Sequence, residues 1–137
     1  MDFVAPEVVA ANFARQPAMA LIGASLTVVS PGVVEVAFPF RADLTQQDGF
    51  IHAGIITTAA DSACGYAALS SMPTGSDVLS VEFKLNLLRP AAGERFVARA
   101  QVLKRGKTLT AVRADVYAFI GMQERLVAAM QATMIRR

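Results

Sequence analysis

Along the chain the apolar positions follow two periods, and the changes between them mark the elements. From Pro6, the stretch PEVVAANFARQ carries apolar residues at helical spacing with proline near its first turn, which predicts a short amphipathic helix. Met19–Val29 and Val33–Phe40 read as two strands joined around Ser30–Gly32. In the second, Val34, Val36 and Phe38 interleave with Val33, Glu35 and Ala37. Residues 41–51, RADLTQQDGFI, are polar and turn-rich. Ala53–Ser71 is a long run of small apolar residues without a broad charged face, and a helix of that kind is buried on most sides. Pro73, Thr74 and Gly75 end it.

Further strand-like runs follow. Asp77–Arg89 alternates, with Leu79, Val81, Phe83, Leu85 and Leu87 on one side and Ser80, Glu82, Lys84 and Asn86 on the other. Arg95–Lys104 and Thr108–Phe119 flank Arg105–Gly106–Lys107, which reads as a hairpin turn. Met122–Ile135 follows a turn at Gly121. Its Met, Gln, Glu, Ala and Leu favour helix locally, but a sheet wrapped round a buried helix needs that edge, so the run is read as a strand. The expected fold class is α+β, a curved antiparallel sheet wrapped around one long central helix, in a single domain over residues 1–137.

Composition narrows the partners. Hydrophobic residues make up 54% of the chain and charged residues 18%. That is apolar for so small a chain, whose surface is large for its volume. No apolar run reaches the roughly 18 residues of a spanning helix. The start, MDFVAPEVV, lacks the basic and apolar regions of a signal peptide. A subunit interface is the account that remains, and the expected location is cytoplasmic. A net charge of +2 gives no argument for nucleic acid as a partner. Cys64 is the one cysteine and His52 the one histidine, so no internal disulfide can form and no His/Cys cluster suggests zinc.

The candidate chemistry lies in QQDGFIHAGIITTAAD, residues 46–61. Aspartate is a poor mid-helix residue, and burying an unpaired carboxylate is expensive. Asp61 nevertheless falls in the middle of the most apolar helix. Two readings stay open: a carboxylate leaving the core and bonded to Thr57 or Thr58 one turn back, or a catalytic carboxylate in a partly dry cleft. Gly49 and Gly54 bracket His52, and Gly54 lies near the helix start, where unpaired N–H groups and the helix dipole suit a carbonyl oxygen gaining negative charge. His52 and Asp61 are nine residues apart. At about 100° per residue they fall on opposite helical faces, so they form no simple pair on one helix. Cys64, in an apolar setting, reads as inert core.

This run resembles the loop and helix start of the PaaI-type acyl-CoA thioesterases, within the hotdog-fold 4-hydroxybenzoyl-CoA thioesterase superfamily. Those proteins show G-x-x-H-G-G followed by an acidic residue nine positions after the histidine. The matching positions here are Gly49, His52, Ala53, Gly54 and Asp61, with alanine in place of the first of the paired glycines. VLSVEFKLNLLRPAAGE, 78–94, is similar to the family's third strand and the turn after it, and RGKTLTAVRADVY, 105–117, to its next hairpin.

The resemblance implies a hotdog fold and hydrolysis of an aryl- or medium-chain acyl-CoA thioester. Asp61 takes the place of the catalytic carboxylate, as nucleophile or as general base toward water. Gln46 falls where the family has an Asn or Gln near the thioester. Backbone N–H groups near Ala53 and Gly54 fall where the carbonyl is polarised, and His52 orients the loop or the thioester. Ser80 matches a Ser or Thr that positions water. Gly106 and Lys107, and more weakly Asn86 and Arg89, match the surface that holds coenzyme A, which enters as part of the substrate; no further cofactor is implied. The family arrangement is a homodimer assembling to a homotetramer, with Asp61 and the backbone donors from different subunits. Two alternatives on the same fold are an enoyl-CoA hydratase or dehydratase and a non-catalytic acyl-CoA binder.

Overall fold

The computed structural model describes residues 2–137. Two short helices, α1 (Pro6–Ala14) and α2 (Pro17–Leu21), precede strands β1 (Ser25–Ser30) and β2 (Val33–Pro39). A 3-10 turn at Ala42–Leu44 leads to the long helix α3 (Ala53–Leu69). Four strands complete the chain: β3 (Val78–Leu87), β4 (Arg95–Arg105), β5 (Leu109–Ile120) and β6 (Gln123–Arg136). They form one antiparallel six-stranded sheet in the order β1-β2-β4-β5-β6-β3. α3 lies against it, touching β2 through β6. This is the α+β layout expected from the alternation of periods, and it is the hotdog fold that the family resemblance implied.

The small side chains of α3 are what let the sheet close on it. Ala59, Ala60, Ala63, Cys64, Ala67 and Ala68 are all fully buried, so the strand backbones approach the helix closely. Val34, Val36 and Phe38 face the same core from β2, and Phe38 stacks on Phe96 of β4 with ring centroids 5.2 Å apart. Burial of each such side chain contributes about 1.5–3 kcal/mol. The helix-favouring composition of β6 is overridden by this packing: Ala128, Met130, Ala132 and Met134 alternate inward over α3.

Two expectations need correction. The segment read as a strand from Met19 begins instead as helix α2, because Pro17 at its first position pre-sets the helical φ. The extended strand starts only at Ser25. The second correction concerns β3. A bulge between Ser80 and Glu82 breaks the alternation, since two residues then oppose one. Residues paired across antiparallel strands share a face. Ser80, opposite Met134, and Phe83, Leu85 and Leu87, opposite Ala132, Met130 and Ala128, therefore all face the helix side. Leu79, Glu82, Lys84 and Asn86 face outward. One inserted residue thus carries Ser80 from the expected polar face to the inner one. β3 is also, like β1, one of the two sheet edges. Leu79, Val81, Phe83, Leu87 and Leu88 along it remain 44–57% exposed.

Candidate active site at the start and middle of one helix

The bulge in β3 has a direct chemical consequence. Ser80 Oγ donates to Asp61 Oδ1 at 2.6 Å. Asp61 is half-buried, and its other oxygen has no protein partner among the described residues. The threonines one turn back are occupied elsewhere: Thr57 and Thr58 donate to the carbonyls of Ala53 and Gly54, each at 2.8 Å. The reading in which they satisfy Asp61 is therefore replaced by a cross-element bond from Ser80. The pair borders a pocket of about 210 Å3 lined also by Asn12, Gln16, Gly65 and Tyr66.

The start of α3 is built by the loop before it. His52 N–H donates to Leu44 carbonyl at 3.0 Å and Gln46 N–H to Phe50 carbonyl at 2.8 Å, which folds residues 44–52 onto themselves. His52 is the N-cap, and its Nδ1 accepts the Gly54 N–H at 2.8 Å. That places the ring proton on Nε2 in the neutral side chain. A Cβ at Gly54 would come within 3.0 Å of the same Nδ1, so glycine is what lets the ring fold over the helix end. The expectation that Gly54 offers its N–H to substrate is corrected by this bond: the histidine already takes it. The Ala53 N–H has no partner among the described residues. Ala53 is helical, without positive φ, so alanine replaces the motif glycine without backbone strain.

Ala53 opens onto a second, larger cleft of about 500 Å3, walled by Phe50, Ile56, Leu87, Leu88 and Val127. Gln46 and Arg89 line it too. Gln46 Oε1 accepts from Asp48 and Phe50 N–H at 2.6 and 3.2 Å, leaving its amide N–H2 free among the described residues. Gln46, Ala53 and Arg89 are thus brought together, and Asp61 and Ser80 are brought together, but the two groups are apart. Ala53 and Asp61 are eight residues apart on α3, about 12 Å along its axis. No single carbonyl can touch both within one protomer.

The remaining positions divide further. Asn86 is on the outer face of β3, bonded by Lys84 Nζ at 2.9 Å, away from the Ala53 cleft. Gly106 and Lys107 line a third pocket of about 290 Å3 with Arg105 and Arg136, beyond the C-terminal end of α3. Gly106 also has a local reason to be glycine, because a Cβ there would collide with the Leu109 carbonyl oxygen across the hairpin. Cys64 is buried core; burial first, and then the Asp61 charge, push its thiol up to about 12. Sequence reasoning missed Asn12, Gln16 and Tyr66, which reach their pocket only through tertiary contacts. It also passed over Gly65, where a mid-helix glycine was a usable signal.

A family model, the thioesterase superfamily, matches residues 48–124, which include the Ala53 helix start, Asp61 and Ser80. A crystal structure of a thioesterase family protein from Silicibacter pomeroyi is similar at 53% identity and a TM-score of 0.91, covering 93% of this chain and 94% of that one. Human acyl-coenzyme A thioesterase 13 is 32% identical over 93 residues, 67% of this chain and 66% of its own length. The PaaI protein of Escherichia coli shares the fold, with a TM-score of 0.84 at 23% identity, over 93% of this chain and 88% of that one. The matches to archaeal relatives from Halobacterium salinarum and Saccharolobus solfataricus span 59–63% of those proteins' lengths.

Proposed function

Because the chain belongs to the thioesterase superfamily, we propose that it hydrolyses the thioester of an acyl-CoA at a site shared by two copies of the chain. The observation that carries the shared site is the separation of its halves: a free N–H at Ala53 and a Ser80-held carboxylate at Asp61, about 12 Å apart on one helix. The exposed edge of β3 supplies the second copy. An unpaired apolar strand edge is a template for another strand, and pairing two β3 edges antiparallel about a two-fold axis is self-complementary. It sets the Ser80 end of one strand beside the Leu87 end of the other. Asp61 of one subunit then faces the Ala53 cleft of its partner. The dimer also covers the exposed apolar row on β3, in keeping with the apolar composition.

In that arrangement the thioester carbonyl oxygen accepts from the Ala53 N–H, with the α3 dipole adding positive potential where negative charge develops. The Gln46 amide N–H2 lies in the same cleft as a second donor. Asp61 acts as general base toward water, or attacks directly and is released by water. In the first case the water oxygen bonds to the carbonyl carbon, its proton passes to Asp61, the C–S bond breaks, and the departing thiolate takes the proton. The products are a carboxylic acid and free coenzyme A, and no further cofactor is used. Arg89 at the cleft is placed to meet the departing arm. Arg105, Lys107 and Arg136 form a cationic patch for phosphates.

The test is thiol release over a panel of acyl-CoAs. Asp61→Asn keeps size and removes the base, and should lower kcat by about 10²–10⁴-fold with an unchanged thermal melt. Turnover by Asp61→Asn within a few-fold of the parent would remove Asp61 from the mechanism. Tight binding of acyl-CoA with no release by the parent would identify a binder instead.

A further inference from the structure

The pocket beside Asp61 carries more information than hydrolysis requires. Gly65 lies one turn beyond Asp61 in the interior of α3 and lines this pocket. Glycine is disfavoured there relative to alanine. Its φ is not positive, and a Cβ built on it meets no atom within 4 Å. Neither conformation nor packing within the chain asks for glycine at this position. What the missing side chain leaves open is the pocket floor.

The walls opposite are polar and come from a different part of the chain. Gln16 Oε1 accepts from Ser62 Oγ at 2.9 Å, and Tyr66 Oη donates to Asn12 Oδ1 at 3.0 Å. Gln16 Nε2 reaches the same phenol at 3.4 Å. These bonds tie α1 and the residues after it to α3 and close the pocket at that side. Burial pushes the Tyr66 phenol up from its ordinary range. Asn12 keeps its amide N–H2 without a partner among the described residues. The larger Ala53 cleft, with Arg89 along it, suits the long leaving arm that must reach solvent. The smaller pocket ends against α1.

Resting on the thioesterase reading above, we propose that this pocket takes the acyl group. Its floor at Gly65 and its Asn12–Gln16–Tyr66 wall then select a compact acyl chain with a hydroxyl or carbonyl at its far end. At about 210 Å3 the pocket is less than half the size of the Ala53 cleft of about 500 Å3, which favours a compact acyl group over a long one.

The experiment measures kcat/KM by thiol release for acetyl-, hexanoyl-, 6-hydroxyhexanoyl- and dodecanoyl-CoA. The parent should favour 6-hydroxyhexanoyl over hexanoyl, and both over dodecanoyl. Tyr66→Phe keeps the ring that packs on Phe13 and should bring the hydroxyl preference toward unity. Gly65→Ala should raise Tm, because it removes a helix-interior glycine. It should also lower the hexanoyl-to-acetyl ratio of kcat/KM about tenfold, the scale of one methyl group in a pocket. A Gly65→Ala variant that slows every chain length equally, or that dissociates on size exclusion, overturns the proposal while leaving the thioesterase reading intact. So does a parent without hydroxyl preference. A parent that releases no thiol from any member overturns both.

Discussion

The backbone donor at Ala53 can be deleted without disturbing the fold, and the geometry says how. Ala53 is the first residue of α3, where the N–H has no helical partner and proline is tolerated. A residue before proline must be extended, and His52 already has φ −59° and ψ 138°. Ala53→Pro therefore removes one hydrogen atom's worth of function from a position built to accept the ring. Because His52 occupies the Gly54 N–H at 2.8 Å, no neighbouring backbone donor substitutes. Losing one such donor costs about 10²–10³ in kcat, or about 2.7–4 kcal/mol of transition-state stabilisation. Ala53→Gly keeps the donor and should turn over at close to the parent rate. Thiol release gives the rates, and circular dichroism with thermal melting checks the fold. A well-folded Ala53→Pro protein within threefold of the parent kcat would refute the donor assignment. The same variant tests the shared site. Mixed with inactive Asp61→Asn chains and reassociated, it should recover about one quarter of parental activity, because half the dimers are mixed and each mixed dimer holds one intact site. No recovery would refute a site built from two chains.

Other outcomes follow from single contacts. Ser80→Ala removes a hydrogen bond to a charged group worth about 1.5 kcal/mol at a half-buried site, about tenfold in kcat. In an Asp61→Asn background the same change should cost far less, and equal costs in both backgrounds would separate Ser80 from Asp61. His52→Ala deletes the cap on Gly54 and should destabilise by about 0.5–2 kcal/mol, lowering Tm by about 2–8 °C. An asparagine at position 52 should restore most of the loss, and a melt indifferent to both changes would dismiss the cap. Cys64, with its thiol pushed up to about 12 and its side chain buried, stays protonated well above neutral pH. At pH 8 the native protein should not react with an aromatic disulfide reagent, whereas the unfolded chain should titrate one thiol.

The buried central helix, the four strands after it and the oddity of Asp61 were legible in the sequence, because each depends on local period and residue type. The Ala-rich run could only be a helix enclosed by something, and Asp61 stood out against it by chemistry alone. The partner of Asp61 was not legible. Strict alternation put Ser80 on the polar face of β3, and only a bulge, which exists through pairing with β6, turned it toward the helix. The availability of N–H groups at the helix start was likewise hidden, since a histidine ring two residues away takes one donor and leaves the other. The resemblance to a thioesterase motif pointed to the segment that builds the start of α3, yet how far Ala53 lies from Asp61 depends on the helix being straight and continuous. Local sequence determines which way each residue is inclined to turn. Which residues meet across fifty positions is decided by the sheet, because registers and bulges are properties of paired strands and no single strand carries them.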